Sequence, residues 1–128
     1  ATVVVMTGDG SFQMGLPELG TILENDLPLK IVIFNNRSLG MVRQLQHYYC
    51  GKRYTAVNFK KAVDFITLAK AYGAEAYRLT EVENVDMVLK EAFGNNKFTI
   101  IEIPIETEDL VLPMVLAGDS LEKMVDSE

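Results

Sequence analysis

Two short polar segments of this sequence have residue types that could bind a divalent metal ion. The first is Gly8-Asp9-Gly10, and Asn35-Asn36 follows after 24 intervening residues. Asp9 offers an anionic oxygen and Asn36 a neutral amide oxygen, and such ligands suit Mg²⁺, which favours phosphate oxygens as further ligands. The glycines let the backbone turn tightly and approach a bound group. The pattern therefore predicts a magnesium-bridged diphosphate site.

The glycine segment has features of a phosphate-binding turn, but it matches neither common glycine-rich motif. Backbone N–H groups near Gly10 and Ser11 could donate to phosphate oxygens. No Gly-Lys-Ser/Thr follows, as a Walker loop requires, and the third glycine of Gly-x-Gly-x-x-Gly is missing. Taken singly, each segment reads more simply as a turn. Only the combination of the two favours a binding site.

The elements that must position these segments alternate along the chain. We predict strands at 2–7, 29–34, 75–79 and 98–103, from short apolar runs bounded by turn residues. We predict helices at 16–25, 41–49, 64–72 and 81–93, and a last short helix ending near 125, with Asp64 and Thr80 as N-caps. This order predicts one α/β domain over 1–128: a parallel sheet with helices on both faces, forming a three-layer sandwich. Ligands of such sheets bind beyond the carboxyl ends of the strands, where both polar segments lie.

Composition limits the classes of function. The chain has 128 residues, 48% of them hydrophobic, and a formal net charge of −6, which disfavours nucleic-acid binding. No apolar run has the length of a membrane span, and the single Cys50 excludes an internal disulfide, so we expect a cytoplasmic protein without membrane contact. Because the sequence starts inside a buried-looking strand and lacks an initial Met, we expect a fragment of a longer chain.

The spacing of the two polar segments resembles the motif of thiamine diphosphate enzymes. Further segments resemble acetolactate synthase: Gly8-Asp9-Gly10-Ser11-Phe12 followed by Glu18-Leu19, Leu39-Gly40-Met41-Val42 followed by Gln44, and Val111-Leu112-Pro113-Met114. The similarity extends over essentially the whole chain. On these residues the chain is identified as similar to the C-terminal thiamine diphosphate-binding domain of the acetolactate synthase catalytic large subunit.

The resemblance implies a role for each matching residue. Asp9 and Asn36 would be side-chain ligands of Mg²⁺, and the backbone carbonyl of Ser38 would be a third ligand. The whole cofactor-binding set implied in this way is Gly8, Asp9, Gly10, Ser11, Asn36, Ser38, Gly40 and Met41. Val42 and Leu45 would border the substrate pocket. Family members often carry tryptophan where this chain has Leu45, which puts the usual preference for 2-ketobutyrate in doubt.

The resemblance also implies what this chain lacks. The enzyme decarboxylates pyruvate on thiamine diphosphate and condenses the product with a second 2-ketoacid, in branched-chain amino-acid biosynthesis. The glutamate that activates the cofactor comes from another domain across a subunit interface, so no catalytic residue is expected here and the isolated chain should be inactive. FAD would bind a middle domain of the full-length enzyme. A second catalytic subunit and a small regulatory subunit are the implied partners.

Two alternatives remain open from the sequence. One is another thiamine diphosphate enzyme, such as pyruvate oxidase or a 2-ketoacid decarboxylase, which would share the magnesium motif. The other is a non-catalytic nucleotide-binding module of flavodoxin-like topology, with Gly8-Asp9-Gly10 as its phosphate loop. A module of that kind would not explain the presence of Asn35-Asn36 after the second strand.

Overall fold

A four-stranded parallel sheet forms the centre of the computed structural model, which describes residues 1–127. Its strands are β1 (Val4–Gly8), β2 (Lys30–Asn35), β3 (Glu75–Arg78) and β4 (Thr99–Pro104), arranged in the order β1-β2-β4-β3. The β1–β2 register runs from Val4 opposite Lys30 to Gly8 opposite Phe34. The predicted parallel sheet is confirmed, and its carboxyl edge brings the residues after β1 beside those after β2.

Helices cover both faces of the sheet. They are α1 (Asp9–Met14), α2 (Glu18–Glu24), α3 (Gly40–Tyr49), α4 (Phe65–Ala71) and α5 (Val85–Gly94). One core cluster joins α1, α2 and α4 to the sheet through buried residues that include Phe12, Leu19, Ile33 and Phe65. A second cluster lies under α5. Because the central strands β2 and β4 are buried between these clusters, the three-layer prediction is confirmed.

Helix α1 was not predicted, because its first residues are typical of a turn. Gly8 is its N-cap and Asp9 its first residue, so the chain turns directly from strand to helix. Gly10 and Ser11 have low intrinsic helix propensity. A tertiary contact offsets this: Phe12 is buried and packs edge-on against Phe65, with ring centroids 5.5 Å apart. The sequence pattern contained no sign of that contact.

Three other predictions about local structure have different outcomes. Asp64 caps α4 as predicted, since its carboxylate accepts from the N–H groups of Ile66 and Thr67. The predicted cap at Thr80 is wrong. A 3₁₀ turn over Val82–Asn84 precedes α5, which begins only at Val85 and has no side-chain cap. The predicted last helix is a single 3₁₀ turn at Leu121–Lys123.

Strand β1 is less buried than its apolar sequence suggests. Val4, Val5 and Met6 are 41%, 40% and 69% exposed. The reason is position, because β1 is an edge strand of this sheet and pairs only with β2. Elsewhere, no helix among residues 1–127 is long and apolar enough to cross a membrane.

Candidate functional site

A cleft of about 420 Å³ lies at the carboxyl edge of the sheet, between the starts of α1 and α3. Its volume falls in the range of small-molecule sites. Nine of the ten residues predicted for the site line it: Gly8, Asp9, Gly10, Ser11, Asn36, Ser38, Gly40, Met41 and Val42. The other lining residues are Met14, Phe34, Leu39, Ile105 and Val111. The fold thus gathers the two predicted segments into one cleft.

Asp9 is the buried anionic group of the cleft. Only 3% of the residue is exposed. Burial raises the pKa of the Asp9 carboxyl above its usual value, and the negative charge of Glu102 adds to this, whereas the backbone N–H groups of Gly10 and Arg37 lower it in part. Arg37 directly follows Asn36, so its influence shows that the carboxyl of Asp9 lies close to the turn after β2. A cation here would find a carboxylate with little water to screen it.

The turn after β2 is shaped by its two asparagines. Asn35 Oδ1 accepts from the N–H of Arg37 at 3.2 Å, and Asn36 Oδ1 accepts from the N–H of Ser38 at 3.0 Å. Arg37 has a φ of 54°, in the left-handed region, which side chains rarely adopt. Such asparagine bonds to the backbone two residues on are typical of tight turns. They hold Asn36 in the cleft wall, where Thr107 also donates to its backbone carbonyl at 2.7 Å.

A buried carboxylate holds this turn to the sheet. Glu102, on β4, is 3% exposed, and its Oε1 accepts from Asn35 Nδ2 at 2.7 Å. Its Oε2 accepts from Arg78 Nε on β3 at 2.8 Å. The side chains of three neighbouring strands are therefore linked directly beneath Asn36. Sequence reasoning missed Glu102, which reads as one polar residue in an otherwise apolar strand.

The hydroxyl of Ser38, which lines the cleft, is engaged by the segment around Val57. Its Oγ donates to the carbonyl of Val57 at 3.0 Å, and Ser38 forms a bridge with Asn58. The N–H of Leu39 also donates to the carbonyl of Val57, at 2.8 Å. The role of the Ser38 carbonyl as a metal ligand stays a prediction.

Two glycines are required here by close approach. A Cβ at Gly40 would lie 2.8 Å from Asn36 Nδ2, and a Cβ at Gly10 would lie 2.8 Å from a methyl carbon of Leu39. Real Cβ atoms do not come so close to other heavy atoms without a shift of one group. Glycine at these positions therefore lets α1, α3 and the turn after β2 meet around the cleft.

Two residues of α3 lie outside the lining of the cleft. Leu45 does not line the cleft and is 40% exposed on α3, so its place in a substrate pocket stays a prediction. Arg43, on the same helix, is 4% exposed. Its guanidinium pairs with Glu108 at 2.6 Å and lies 4.2 Å from the ring centre of Tyr54. The residue pattern of α3 alone could not predict the burial of Arg43, because the residues that cover it come later in the chain.

The cleft divides into a polar and an apolar part. Asp9, Ser11, Asn36 and Ser38 supply oxygen atoms near the strand ends, whereas the large exposed side chains that line the cleft are apolar. Within residues 1–127, no three His, Cys, Asp or Glu side chains are grouped as a metal site. A carboxylate, an amide and a carbonyl instead leave coordination positions open, which suits a hard cation that also binds ligand phosphates. The site fits a molecule with one anionic and one apolar end.

Comparison with known proteins agrees with this arrangement. Residues 1–103 match the family model described as "Thiamine pyrophosphate enzyme, C-terminal TPP binding domain". The chain belongs to this family. Thiamine pyrophosphate is another name for thiamine diphosphate, so the cofactor family predicted from the motif is confirmed.

Relatives of this TPP-binding domain carry related names. It is 42% identical over 125 residues to the "Probable acetolactate synthase large subunit" of Methanococcus aeolicus, covering 98% of this chain and 21% of the relative. It is 36% identical over 125 residues to the "Acetolactate synthase isozyme 2 large subunit" of Escherichia coli (strain K12), covering 98% of this chain and 23% of the relative. The resemblance to acetolactate synthase large subunits is confirmed, and the domain spans about a fifth of their length.

A solved structure supports the fold of the TPP-binding domain. The thiamine diphosphate-dependent 4-hydroxybenzoylformate decarboxylase of Rhodococcus jostii RHA1 matches with a TM-score of 0.76 at 24% sequence identity. The match covers 84% of this chain and 20% of that chain. At this identity the likeness concerns the fold alone.

Proposed function

We propose that this TPP-binding domain holds the diphosphate of thiamine diphosphate through Mg²⁺, as one part of an acetolactate synthase large subunit. One observation carries the proposal. The buried Asp9 and the turn-held Asn36 follow two paired parallel strands and line a single cleft. Their oxygens, with the carbonyl of Ser38, form a ligand set that suits Mg²⁺ and leaves room for phosphate oxygens.

The backbone at the start of α1 supports the diphosphate role. Gly10 and Ser11 lie in the first turn of the helix, whose N-cap Gly8 offers no side-chain hydrogen bond. The first N–H groups of a helix have no partner inside the helix. In the proposal the backbone groups of Gly10 and Ser11 hold the diphosphate, with the N–H of Ser11 as a donor, and no Cβ at Gly8 blocks the approach.

The apolar mouth of the cleft supports binding of the rest of the cofactor. Met41 and Val42, at the start of α3, are 54% and 45% exposed and line the cleft. Exposed apolar groups beside a polar floor suit a molecule with a charged end and a ring. In the proposal these two residues border the thiazolium ring and the substrate channel, and Leu45 stands further along the same helix.

The proposed enzyme joins two 2-ketoacids in the cytoplasm, as a step of branched-chain amino-acid biosynthesis. When bound, the cofactor supplies an electron sink for decarboxylation of pyruvate. The residues of this domain anchor its diphosphate end, neutralise it through Mg²⁺ and fix its position. The proposal assigns the activating glutamate and FAD to other domains, with a second catalytic subunit completing the site and a small subunit as a regulatory partner.

Calorimetry on the purified chain tests the cofactor assignment. We expect heat of binding when thiamine diphosphate is added with Mg²⁺, and a large loss of affinity when EDTA removes the metal, because Mg²⁺ bridges the ligand to Asp9 and Asn36. Titrations with FMN and with ATP are the comparison. Metal-independent FMN binding would instead support a flavodoxin-like module.

The purified chain should produce no acetolactate from pyruvate, even with saturating thiamine diphosphate and Mg²⁺. The reason is that the proposed activating glutamate lies outside it. A colorimetric acetolactate assay measures this, with an active acetolactate synthase of full length as the positive control. Steady acetolactate production by the chain, above the rate with boiled protein, would contradict the proposal that the activating glutamate lies in another domain.

A single added methyl group at Gly40 should weaken metal-dependent cofactor binding. In Gly40→Ala the new Cβ would lie 2.8 Å from Asn36 Nδ2 and displace the amide from its position. We expect the affinity for thiamine diphosphate with Mg²⁺ to fall by about tenfold or more, as when a group supporting a metal ligand is lost. Calorimetry measures this effect.

Gly20→Ala is the matched control for that substitution. Gly20 lies within α2, and a Cβ there would meet no atom within 4 Å. Alanine favours a helix over glycine by about 0.8–1.0 kcal/mol, so this variant should melt slightly higher and bind cofactor normally. Equal affinities in the two variants would show that crowding of Asn36 does not matter.

A further inference from the structure

The structure joins Gln44 to the segment around Val111, and the proposed function gives neither of them a role. Gln44 lies on α3, and Val111 and Met114 lie 67 and 70 residues later. Gln44 Nε2 donates to the carbonyl of Val111 at 3.0 Å, and the N–H of Val111 donates to Gln44 Oε1 at 2.8 Å. The sulfur of Met114 lies 2.9 Å from the same Nε2. One side-chain amide therefore satisfies both backbone groups of Val111.

This double contact is partly shielded from water and is supported on both sides. Gln44 is 2% exposed, so its two hydrogen bonds face little competition from solvent. One helix position earlier, Arg43 pairs with Glu108 at 2.6 Å. Further along α3, the hydroxyl of Tyr49 accepts from the N–H of Ala117 at 2.5 Å. These contacts hold the segment 108–117 across α3, with Gln44 at its middle.

The segment brings Val111 to the cleft. Val111 lines the same cleft as Asp9 and Asn36, yet 66% of the residue is exposed. A side chain so exposed is not held by burial, so its place in the wall depends on its backbone. The backbone of Val111 is held by Gln44, whose helix also carries the cleft residues Met41 and Val42.

We propose that Gln44 is a positioning residue that holds Val111 in the apolar wall of the cleft, and that Val111 there contributes to ligand affinity. The affinity part of this inference rests on the proposed function, since it takes thiamine diphosphate as the ligand. The positioning part stands on the contacts of the chain alone. Through Val111, the segment 108–117 contributes to the wall of the cleft.

The same helix supplies a matched control. Gln46 makes the same pair of bonds to Thr55: its Nε2 donates to the carbonyl at 3.1 Å, and its Oε1 accepts from the N–H at 2.8 Å. Thr55 is exposed and does not line the cleft. Replacing either glutamine by methionine removes one such pair of bonds with a similar side-chain length. Only Gln44→Met should affect the cleft.

Amide hydrogen exchange and methyl NMR on the metal-free chain test the positioning. In Gln44→Met the amide of Val111 should exchange about tenfold faster or more, because it loses its hydrogen bond to Gln44 Oε1. The methyl resonance of Met14, which lines the cleft from α1, should shift as well. Gln46→Met should speed exchange at Thr55 and leave Val111 and Met14 unchanged. Unchanged exchange at Val111 in Gln44→Met, or an unmoved Met14 methyl, would overturn the inference.

Calorimetry with thiamine diphosphate and Mg²⁺ tests the contribution to affinity. Gln44→Met should bind more weakly than Gln46→Met. Val111→Ala keeps both hydrogen bonds between its backbone and Gln44, so exchange at residue 111 should stay normal. The affinity for thiamine diphosphate should nevertheless fall about three- to tenfold, because methyl groups are removed from the wall of the cleft. Normal affinity in Val111→Ala would overturn the affinity part. If the unsubstituted chain binds no thiamine diphosphate, the proposed function fails, whereas exchange at Val111 and the Met14 resonance still decide whether Gln44 positions the wall.

Discussion

Asp9→Asn should abolish Mg²⁺-dependent binding of thiamine diphosphate and, at the same time, raise the melting temperature of the metal-free chain. Among residues 1–127, Asp9 is the one anionic side chain that lines the cleft, and Mg²⁺ is bound most strongly by charged oxygens. Loss of a group that merely supports a metal ligand costs about 10- to 100-fold in affinity, so loss of the ligand itself should cost at least about 100-fold. Calorimetry measures this loss.

The gain in stability follows from the pKa of Asp9. Burial raises that pKa above its usual 3.8, so between pH 3.8 and the raised pKa the folded chain holds a proton there that the unfolded chain has released. Stability of the unsubstituted chain therefore falls as pH rises from 3.8 through the raised pKa, and the penalty is complete above it. Asparagine carries no such penalty. The advantage of Asp9→Asn should be full at neutral pH and disappear as pH falls through that window.

Thermal melts at several pH values, without metal, check this prediction. Asp86→Asn is the control. Asp86 is exposed on α5 and does not line the cleft, so this variant removes the same charge away from the site. Its melting temperature should show no comparable gain at neutral pH. Retained metal-dependent affinity in Asp9→Asn would refute the assignment of Asp9 as a metal ligand. A lower melting temperature of this variant at neutral pH would refute the claim that burial of the charged carboxylate destabilises the metal-free chain.

Glu102→Ala should lower the free energy of unfolding by about 2–4 kcal/mol, because it leaves buried partners without an acceptor and opens a cavity. The amide of Asn35 loses its 2.7 Å bond and Arg78 its 2.8 Å bond. Since the Asn35 amide anchors the turn that carries Asn36, binding of the cofactor should weaken as well. Urea denaturation measures the stability, and calorimetry the binding.

Two further variants separate the causes of this loss. Glu102→Gln keeps the shape and one acceptor oxygen, but its amide group would face a donor on one side, so it should fall between alanine and the unsubstituted chain. Glu75→Gln removes the same charge from β3, where Glu75 pairs with Lys97 at a more exposed site. Exposed ion pairs contribute little, so this control should unfold nearly normally. An equal loss in Glu75→Gln would show that charge, not burial of Glu102, causes the effect.

The larger features of the fold could be predicted because they depend on local patterns. Apolar runs of strand length alternate with helix-length segments, and a strand, a helix and a parallel strand connect in few ways. The cap at Asp64 is similarly local, because a carboxylate needs only the next few N–H groups. The same kind of local pattern predicted a cap at Thr80 wrongly, because the residues expected in the first turn of α5 form a 3₁₀ turn instead.

Most of the candidate site could be predicted for a related reason. Residues that follow parallel strands must meet at one edge of the sheet, so Asp9 and Asn36 were expected to be neighbours from their sequence positions alone. Glu102, Arg43 and Val111 could not be assigned in this way. Each acts through a contact more than twenty residues away in sequence, and no short-range pattern records the partner of such a contact.

The sequence by itself determined the family, the layered parallel architecture and the identity of the proposed metal ligands, because spacing between strand ends and turn residues is a property of short segments. Tertiary structure alone decided how far each side chain is exposed and what holds it. It placed the edge strand β1 partly in solvent, buried Glu102 under the turn at Asn36, and laid the segment 108–117 across α3. Burial and long-range hydrogen bonds depend on which distant segments meet, and that is a property of the folded chain as a whole.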